Sequence, residues 1–217
     1  SQCPKKYKFS HVLRVPEPSQ TFLSLGNVVH KIFQTLSFRQ KDGKPISQKL
    51  AYTLLEQYWD SVSYNSDVKE KQDKARAKKM IKNFLKWTSS NSNKVVGVEL
   101  AFNIKLKGIT VRGKIDRLEQ DDQGNYYVID YKTGACFETV NTISENIQMN
   151  VYALAIEQKF HKLPVQASLF YVNDDKLIKY FITDSKSVDV FKQKLENIIE
   201  SILNEEFEAN PAEGFWT

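Results

Sequence analysis

The sequence is poor in the residues that build stapled, fibrous or unstructured chains. Its 217 residues include only 2 Cys, with 8 Gly, 6 Pro and 2 Met. Cys3 and Cys136 are too few for a disulfide framework, so a reducing, cytoplasmic compartment is expected. The shortage of Gly and Pro argues against a collagen-like or low-complexity chain. No run of 18 apolar residues occurs, so no membrane-spanning helix is expected. The opening Ser1-Gln2-Cys3-Pro4 has no basic or apolar leader region and no initiator Met, and the chain is read as a segment of something longer. No internal repeat is visible.

What is present suits one well-buried domain, with monomer as the default state. Hydrophobic residues make up 41% of the chain, including 13 Phe, 10 Tyr and 3 Trp. The formal net charge of +5 is uneven. Residues 1–100 carry 18 Lys and Arg against 8 Asp and Glu, whereas residues 101–217 carry 13 against 18. A basic half suits an anionic partner, of which nucleic acid is the commonest; a solvated lysine face gives the same count.

The apolar periodicity divides the chain. Phe22, Leu25, Val29, Ile32, Phe33 and Leu36 recur at helical steps after a cap at Ser19. Further helices are predicted from Ser47 to Trp59 and from Asp67 to Trp87, the latter strongly basic. The period then changes. Val95–Leu106 and Ile109–Leu118 read as strands joined at Lys107-Gly108, and Tyr126–Tyr131 as a third. A helix from Ser144 to Phe160, strands over Val165–Val172 and Leu177–Ile182, and a final helix to about Glu205 complete the order. Such an order specifies α/β or α+β layers around a mixed central sheet flanked by helices, with an N-terminal helical section.

The chemistry gathers at two strand ends. In Asp130-Tyr131-Lys132, strand alternation puts Asp130 and Lys132 on one face. Alone, the pair reads as a surface ion pair worth at most about 1 kcal/mol. The preceding strand ends Gly113-Lys114-Ile115-Asp116-Arg117, and a short turn makes the two strands antiparallel neighbours. Asp116 then approaches Asp130. Two crowded carboxylates repel unless a cation lies between them, and hard oxygen ligands suit Mg²⁺ or Mn²⁺. A divalent ion so held activates water and polarises a phosphate, and Lys132 stabilises the charge that develops.

These two segments, with Thr133-Gly134 following, resemble the paired signature of the RecB-like family in the PD-(D/E)XK nuclease superfamily: a G-x-x-D strand followed by D-x-K-T. Gly26-Asn27-Val28-Val29-His30 is similar to that family's G-x-x-x-H helix motif, and Gln148-Met149-Asn150-Val151-Tyr152 to its Q-x-x-x-Y motif. Glu99 falls at its acidic position on the first strand, where an outward-facing carboxylate is the plainer reading. The resemblance implies a metal-dependent deoxyribonuclease with a restriction-endonuclease-like core. Asp116, Asp130 and Lys132 are catalytic; His30, Asp116, Asp130 and the Tyr131 carbonyl hold Mg²⁺ or Mn²⁺; Gln148, Tyr152 and Glu99 support the site or contact DNA. It implies residues 1–90 as a helical section, 91–206 as the nuclease core and 207–217 as a tail. The implied substrate is single-stranded or helicase-unwound DNA, or a duplex end, attacked by an exonuclease joined to a helicase or to DNA repair. A non-catalytic DNA-binding module of a helicase is the alternative.

The sequence departs from the family in one respect. Many relatives carry a 4Fe-4S cluster held by one cysteine near the N-terminus and three near the C-terminus. Cys3 matches the first, but no cysteine follows Phe207, and four thiolates are needed. The cluster is therefore expected only in a longer parent chain, and the two termini, clamped together in such relatives, are expected to be loose and mobile at both ends.

Overall fold

The computed structural model describes residues 4–15, 23–139, 142–182 and 185–208. Cys3 and Ser19 lie outside the described residues. The elements are α1 (Pro4–Tyr7, continued by a π-helical turn over Lys8–Val12), α2 (Leu23–Lys41), α3 (Gln48–Tyr58), α4 (Asp67–Ser89), β1 (Lys94–Leu106), β2 (Ile109–Gln120), β3 (Tyr126–Lys132), α5 (Ile147–Phe160), β4 (Gln166–Tyr171), β5 (Lys176–Phe181) and α6 (Ser185–Leu203).

The starts of the helices are chemically marked. Ser47 caps α3 by accepting the Leu50 N–H at 3.2 Å, and Ser66 caps α4 by accepting that of Lys69 at 3.4 Å. The fifth helix opens later than its sequence suggested. Ser144 sits in a 3₁₀ turn over Ile143–Glu145, and Asn146 is the cap, accepting the Met149 N–H at 3.2 Å. The Asn146 side-chain carbonyl is a ready acceptor two residues beyond Ser144 and takes the capping role.

The five strands run β1-β2-β3-β4-β5 across one sheet. All pairings are antiparallel except β3–β4, which is parallel and bridged by α5. Every residue of β4 is buried, as expected of a strand covered on both faces. On one face Val29, Ile32, Phe33 and Leu36 of α2 pack with residues of α3 and α4 against Ile129, Tyr131 and Phe170. On the other, α5 and α6 pack against Phe102, Ile104, Ile115, Val128 and Leu169. The result is a three-layer α/β domain with a mixed sheet.

Two features position the site. The β2–β3 ladder runs from Gln120↔Tyr126 to Arg117↔Ile129 and stops, so the next residues, Asp116 and Asp130, stand where the strands part. Meanwhile β3–β4 pairing continues through Lys132↔Tyr171, which keeps the end of β3 straight.

Near the two ends of the described chain, residues 7 and 8 meet residue 207, which counts against loose termini. The Tyr7 and Phe207 rings stack at 6.4 Å, and the Lys8 ammonium lies 5.3 Å from the centroid of the same Phe207 ring. Aromatic stacking and a cation–π contact join them.

Candidate active site

Asp130 is the centre of the arrangement and is only 3% exposed. Its Oδ1 accepts from the Gln148 Nε2 at 2.9 Å and from the Tyr152 hydroxyl at 3.0 Å. Its Oδ2 faces the Lys132 ammonium at 2.7 Å, yet no hydrogen-bond donor is aligned on this buried atom. Gln148 uses both ends of its amide. Oε1 accepts from Lys132 Nζ at 2.7 Å, while Nε2 also donates to the Tyr152 hydroxyl at 2.7 Å. The one-turn spacing of Gln148 and Tyr152 therefore brings both onto the carboxylate, with Lys132 tied to Gln148.

Asp116 enters from β2. Its Oδ2 accepts the Tyr131 N–H at 2.9 Å and lies 3.5 Å from His30 Nδ1. Burial first, and then the negative charge of Asp130, push the Asp116 carboxyl up to about 7; Glu99 adds in the same direction. Burial also holds the His30 imidazole below its usual value, against the pull of Asp130 and Glu99. His30 is thus neutral near pH 7, the form able to ligate a cation. Burial and the Asp130 charge raise the Tyr152 phenol, so it stays a donor.

The remaining motif residues take definite places. Gly26 lies against β3, where a Cβ at residue 26 would come 3.2 Å from the Thr133 Oγ1, so a bare backbone lets the His30 helix approach the Lys132-Thr133 turn. Tyr131 faces away from the carboxylates, its ring buried among Phe33, Phe84 and Trp87, while its main chain contacts both Asp116 and His30. Glu99 falls between the pairs Val98↔Arg117 and Leu100↔Ile115, opposite Asp116. It has φ 48°, a left-handed conformation rare for a non-Gly residue in a strand and a form of strain found at functional sites. Its Oε2 lies 3.6 Å from Lys114 Nζ.

Sequence reasoning missed a buried cluster beside the site. Arg117 is 1% and Glu119 1% exposed, and they pair at 2.6 Å. Arg117 also donates to Ser37 and Gln40 of α2, at 3.1 and 2.7 Å, and lies 5.1 Å from the Trp87 centroid. Asn91 donates to Glu119 at 2.6 Å. Arg117 therefore fastens the His30 helix to the strand that carries Asp116. The Arg-x-Glu spacing in β2 is the signal that could have found it.

The donor set of two carboxylates, a neutral imidazole and a main-chain carbonyl is the hard, oxygen-rich kind that suits Mg²⁺ or Mn²⁺. Among the described residues, no three His, Cys, Asp or Glu side chains are gathered into a finished coordination nest. Asp130 is turned to Lys132, Gln148 and Tyr152 instead. Lys132 is paired with Asp130 Oδ2, and the raised Asp116 carboxyl marks the crowded negative charge that a cation would relieve.

Carboxylates from two parting strands, with a lysine two residues beyond one of them, form the candidate site. Residues 1–214 match the family model of the PD-(D/E)XK nuclease superfamily, and the protein belongs to it. Nucleases of this superfamily typically use divalent metal ions. The chain is 24% identical to the Gene 69 protein of Mycobacterium phage D29 over 185 residues, 74% of this chain and 66% of that protein, just under two thirds of its length. It is 22% identical to the Gene 69 protein of Mycobacterium phage L5 over 233 residues, 87% of this chain and 74% of that protein. A solved structure titled "Crystal structure of SSO0001" is 14% identical, with 91% of this chain and 84% of that one covered at a TM-score of 0.37. Among the described residues no helix is long and apolar enough to cross a membrane.

Proposed function

We propose that the protein is a Mg²⁺- or Mn²⁺-dependent deoxyribonuclease of the RecB-like branch, acting as an exonuclease on single-stranded DNA or unwound duplex ends. The observation that carries the reading is the convergence of His30, Asp116, Asp130 and Lys132, from three separate elements, at the point where β2 and β3 part.

Asp116, Asp130, His30 and the Tyr131 carbonyl would hold the metal. When bound, it supplies Lewis-acid polarisation of the phosphate and a more acidic water. The chain's own residues do the rest. Gln148 holds the Lys132 ammonium beside Asp130, where it orients the attacking water and meets the negative charge that develops on the phosphate. Tyr152 and Gln148 fix the Asp130 carboxylate, so it need not reorganise during reaction. Glu99, opposite Asp116, raises the local negative field that attracts a cation. Contacts to phosphates carry no sequence information, so little base preference is expected. The protein works as a monomer, joined to or associated with a helicase in DNA repair. These partner assignments rest on the motif resemblance.

The test is Mn²⁺-dependent cleavage of a labelled single-stranded oligonucleotide by the parent protein and by Lys132→Ala and Asp116→Ala. Both variants keep the circular dichroism spectrum and DNA binding while cleavage falls by about 10²-fold or more. Variants that cleave like the parent would falsify the assignment. A parent that binds DNA and cleaves nothing with either metal would favour a non-catalytic binding module.

A further inference from the structure

The first hundred residues hold most of the positive charge, but much of it is locally engaged. On α4, Lys69 and Arg76 pair with Asp73, Lys74 with Glu56 and Lys86 with Asp175. The cations that adjoin the carboxylates come from elsewhere. The β1–β2 hairpin carries Lys105, Lys107, Arg112 and Lys114, and no Asp or Glu between Leu100 and Ile115, although it belongs to the acidic half of the chain.

The register sorts these residues. Ile104, Leu106 and Ile115 face the core beneath α5 and α6. Alternation puts Ala101, Asn103 and Lys105 of β1, and Thr110, Arg112 and Lys114 of β2, on the opposite face, and all six are exposed. Cross-strand pairing stacks that face in levels: Ala101 with Lys114, Asn103 with Arg112, Lys105 with Thr110. Each level carries one cation beside a small or neutral residue. Levels follow one another at roughly 7 Å, two strand residues apart, and the next level inward is Glu99 with Asp116. Among the described residues Lys105 and Arg112 enter no ion pair, and Lys114 has only the 3.6 Å contact to Glu99. The fourth cation, Lys107 at the tip, is bonded to Glu200 of α6 at 2.7 Å, which pins the arm to the body of the protein.

We propose that this face of the hairpin is the track along which a nucleic-acid strand enters the site, with successive phosphates on Lys105, Arg112 and Lys114 and the next one delivered to Asp116 and Lys132. The proposal rests on the nuclease reading and specifies its substrate path. One cation per level, Lys105 from β1 and Arg112 and Lys114 from β2, matches a regular row of single phosphates, and the neutral residues opposite leave room for the nucleic-acid strand. The contacts read backbone, not sequence. A duplex has a second strand to place, so single strands and frayed ends use the track best.

The test measures binding of a fluorescent single-stranded 20-mer by anisotropy in EDTA, across a salt series, and Mn²⁺-dependent cleavage separately. The triple variant Lys105→Gln, Arg112→Gln, Lys114→Gln is compared with Lys71→Gln, Lys79→Gln, Lys82→Gln, which removes the same charge from exposed positions of α4. The hairpin variant should bind about tenfold more weakly or worse, and its salt slope should fall by about 2, at roughly 0.7 per phosphate contact on a single strand. The α4 variant should change less than threefold. Unchanged binding by the hairpin variant, an equal loss in both variants, or a parent that does not bind the oligonucleotide overturns the track. A parent that cleaves nothing but loses binding with the hairpin overturns the nuclease reading and leaves the track standing.

Discussion

The ring of Phe102 lies over Gly113, close enough that a Cβ at residue 113 would come within 2.8 Å of its Cε1. The glycine of the G-x-x-D strand thus has a packing reason. The space it leaves admits Phe102, whose ring meets Tyr152 edge-on at 5.9 Å, and Tyr152 in turn donates to Asp130. Gly113→Ala should force the ring aside and lower stability by about 1–3 kcal/mol, the usual cost of overpacking. Adding Phe102→Leu should recover part of that loss, because the smaller side chain clears the new methyl. Thermal melts of the two single variants and the double variant give the coupling, and additive losses would remove the proposed contact.

Much of this was legible in the sequence, for identifiable reasons. The helices and strands follow from periodicity and caps, because α2 buries one helical stripe and β3 alternates its side chains between the two helical layers. The approach of Asp116 to Asp130 followed from two strands and a short turn. The closure of Gln148 onto both Asp130 and Lys132 did not, since it depends on the side-chain rotation of one amide. Nor did the left-handed φ of Glu99, because nothing in Val98-Glu99-Leu100 distinguishes it from an ordinary strand. The charge count of the basic half carries no information about place. Charge counts sum over the fold, whereas the cations beside the carboxylates are set by the register of one hairpin.

Among the described residues Gln148 is the single one touching Asp130, Lys132 and Tyr152 together. Gln148→Ala should free the ammonium and remove one donor from the carboxylate, lowering kcat about 10–100-fold with little change in KM, the scale seen when groups that orient a site are removed. Gln148→Glu keeps an acceptor for Lys132 but loses the donor and sets a third carboxylate against Asp130. It should be the poorer enzyme of the two. Steady-state cleavage rates decide this, and a Gln148→Glu variant equal to the parent would mean that the donor to Asp130 does not matter.

The Arg117–Glu119 pair is sealed from water, so its loss is asymmetric. Arg117→Met should destabilise by about 3–5 kcal/mol, because Glu119 keeps only the Asn91 amide. Arg117→Met with Glu119→Leu should be far milder, since no buried charge is left alone. Chemical denaturation reads both. The double variant should still lose activity, because Ser37 and Gln40 no longer hold α2, and with it His30, against the Asp116 strand. Full activity in a stable double variant would make the pair purely structural.

The crowding of Asp116 gives the metal-free protein a pH signature. Burial and the Asp130 charge raise this carboxyl from 3.8 to about 7, so the folded state binds its proton more tightly than the unfolded chain does. Its stabilising contribution is complete below pH about 4 and is lost as pH rises through about 7. A shift of that size corresponds to a contribution on the order of a few kcal/mol. His30 acts in the opposite sense: burial lowers its pKa, so its contribution is present at higher pH and is lost as pH falls through the depressed value. The raw melting curve therefore mixes two slopes, and the difference from Asp116→Asn isolates the carboxyl. In EDTA that difference should favour the parent at pH 5 and shrink or reverse by pH 8. Mn²⁺ binds the ionised form, so the thermal shift it produces in the parent should grow over the same interval and vanish in Asp116→Asn. A difference curve flat between pH 5 and 8, with an Mn²⁺ shift independent of pH, would mean that Asp116 is ionised throughout and that no cation is needed to relieve it.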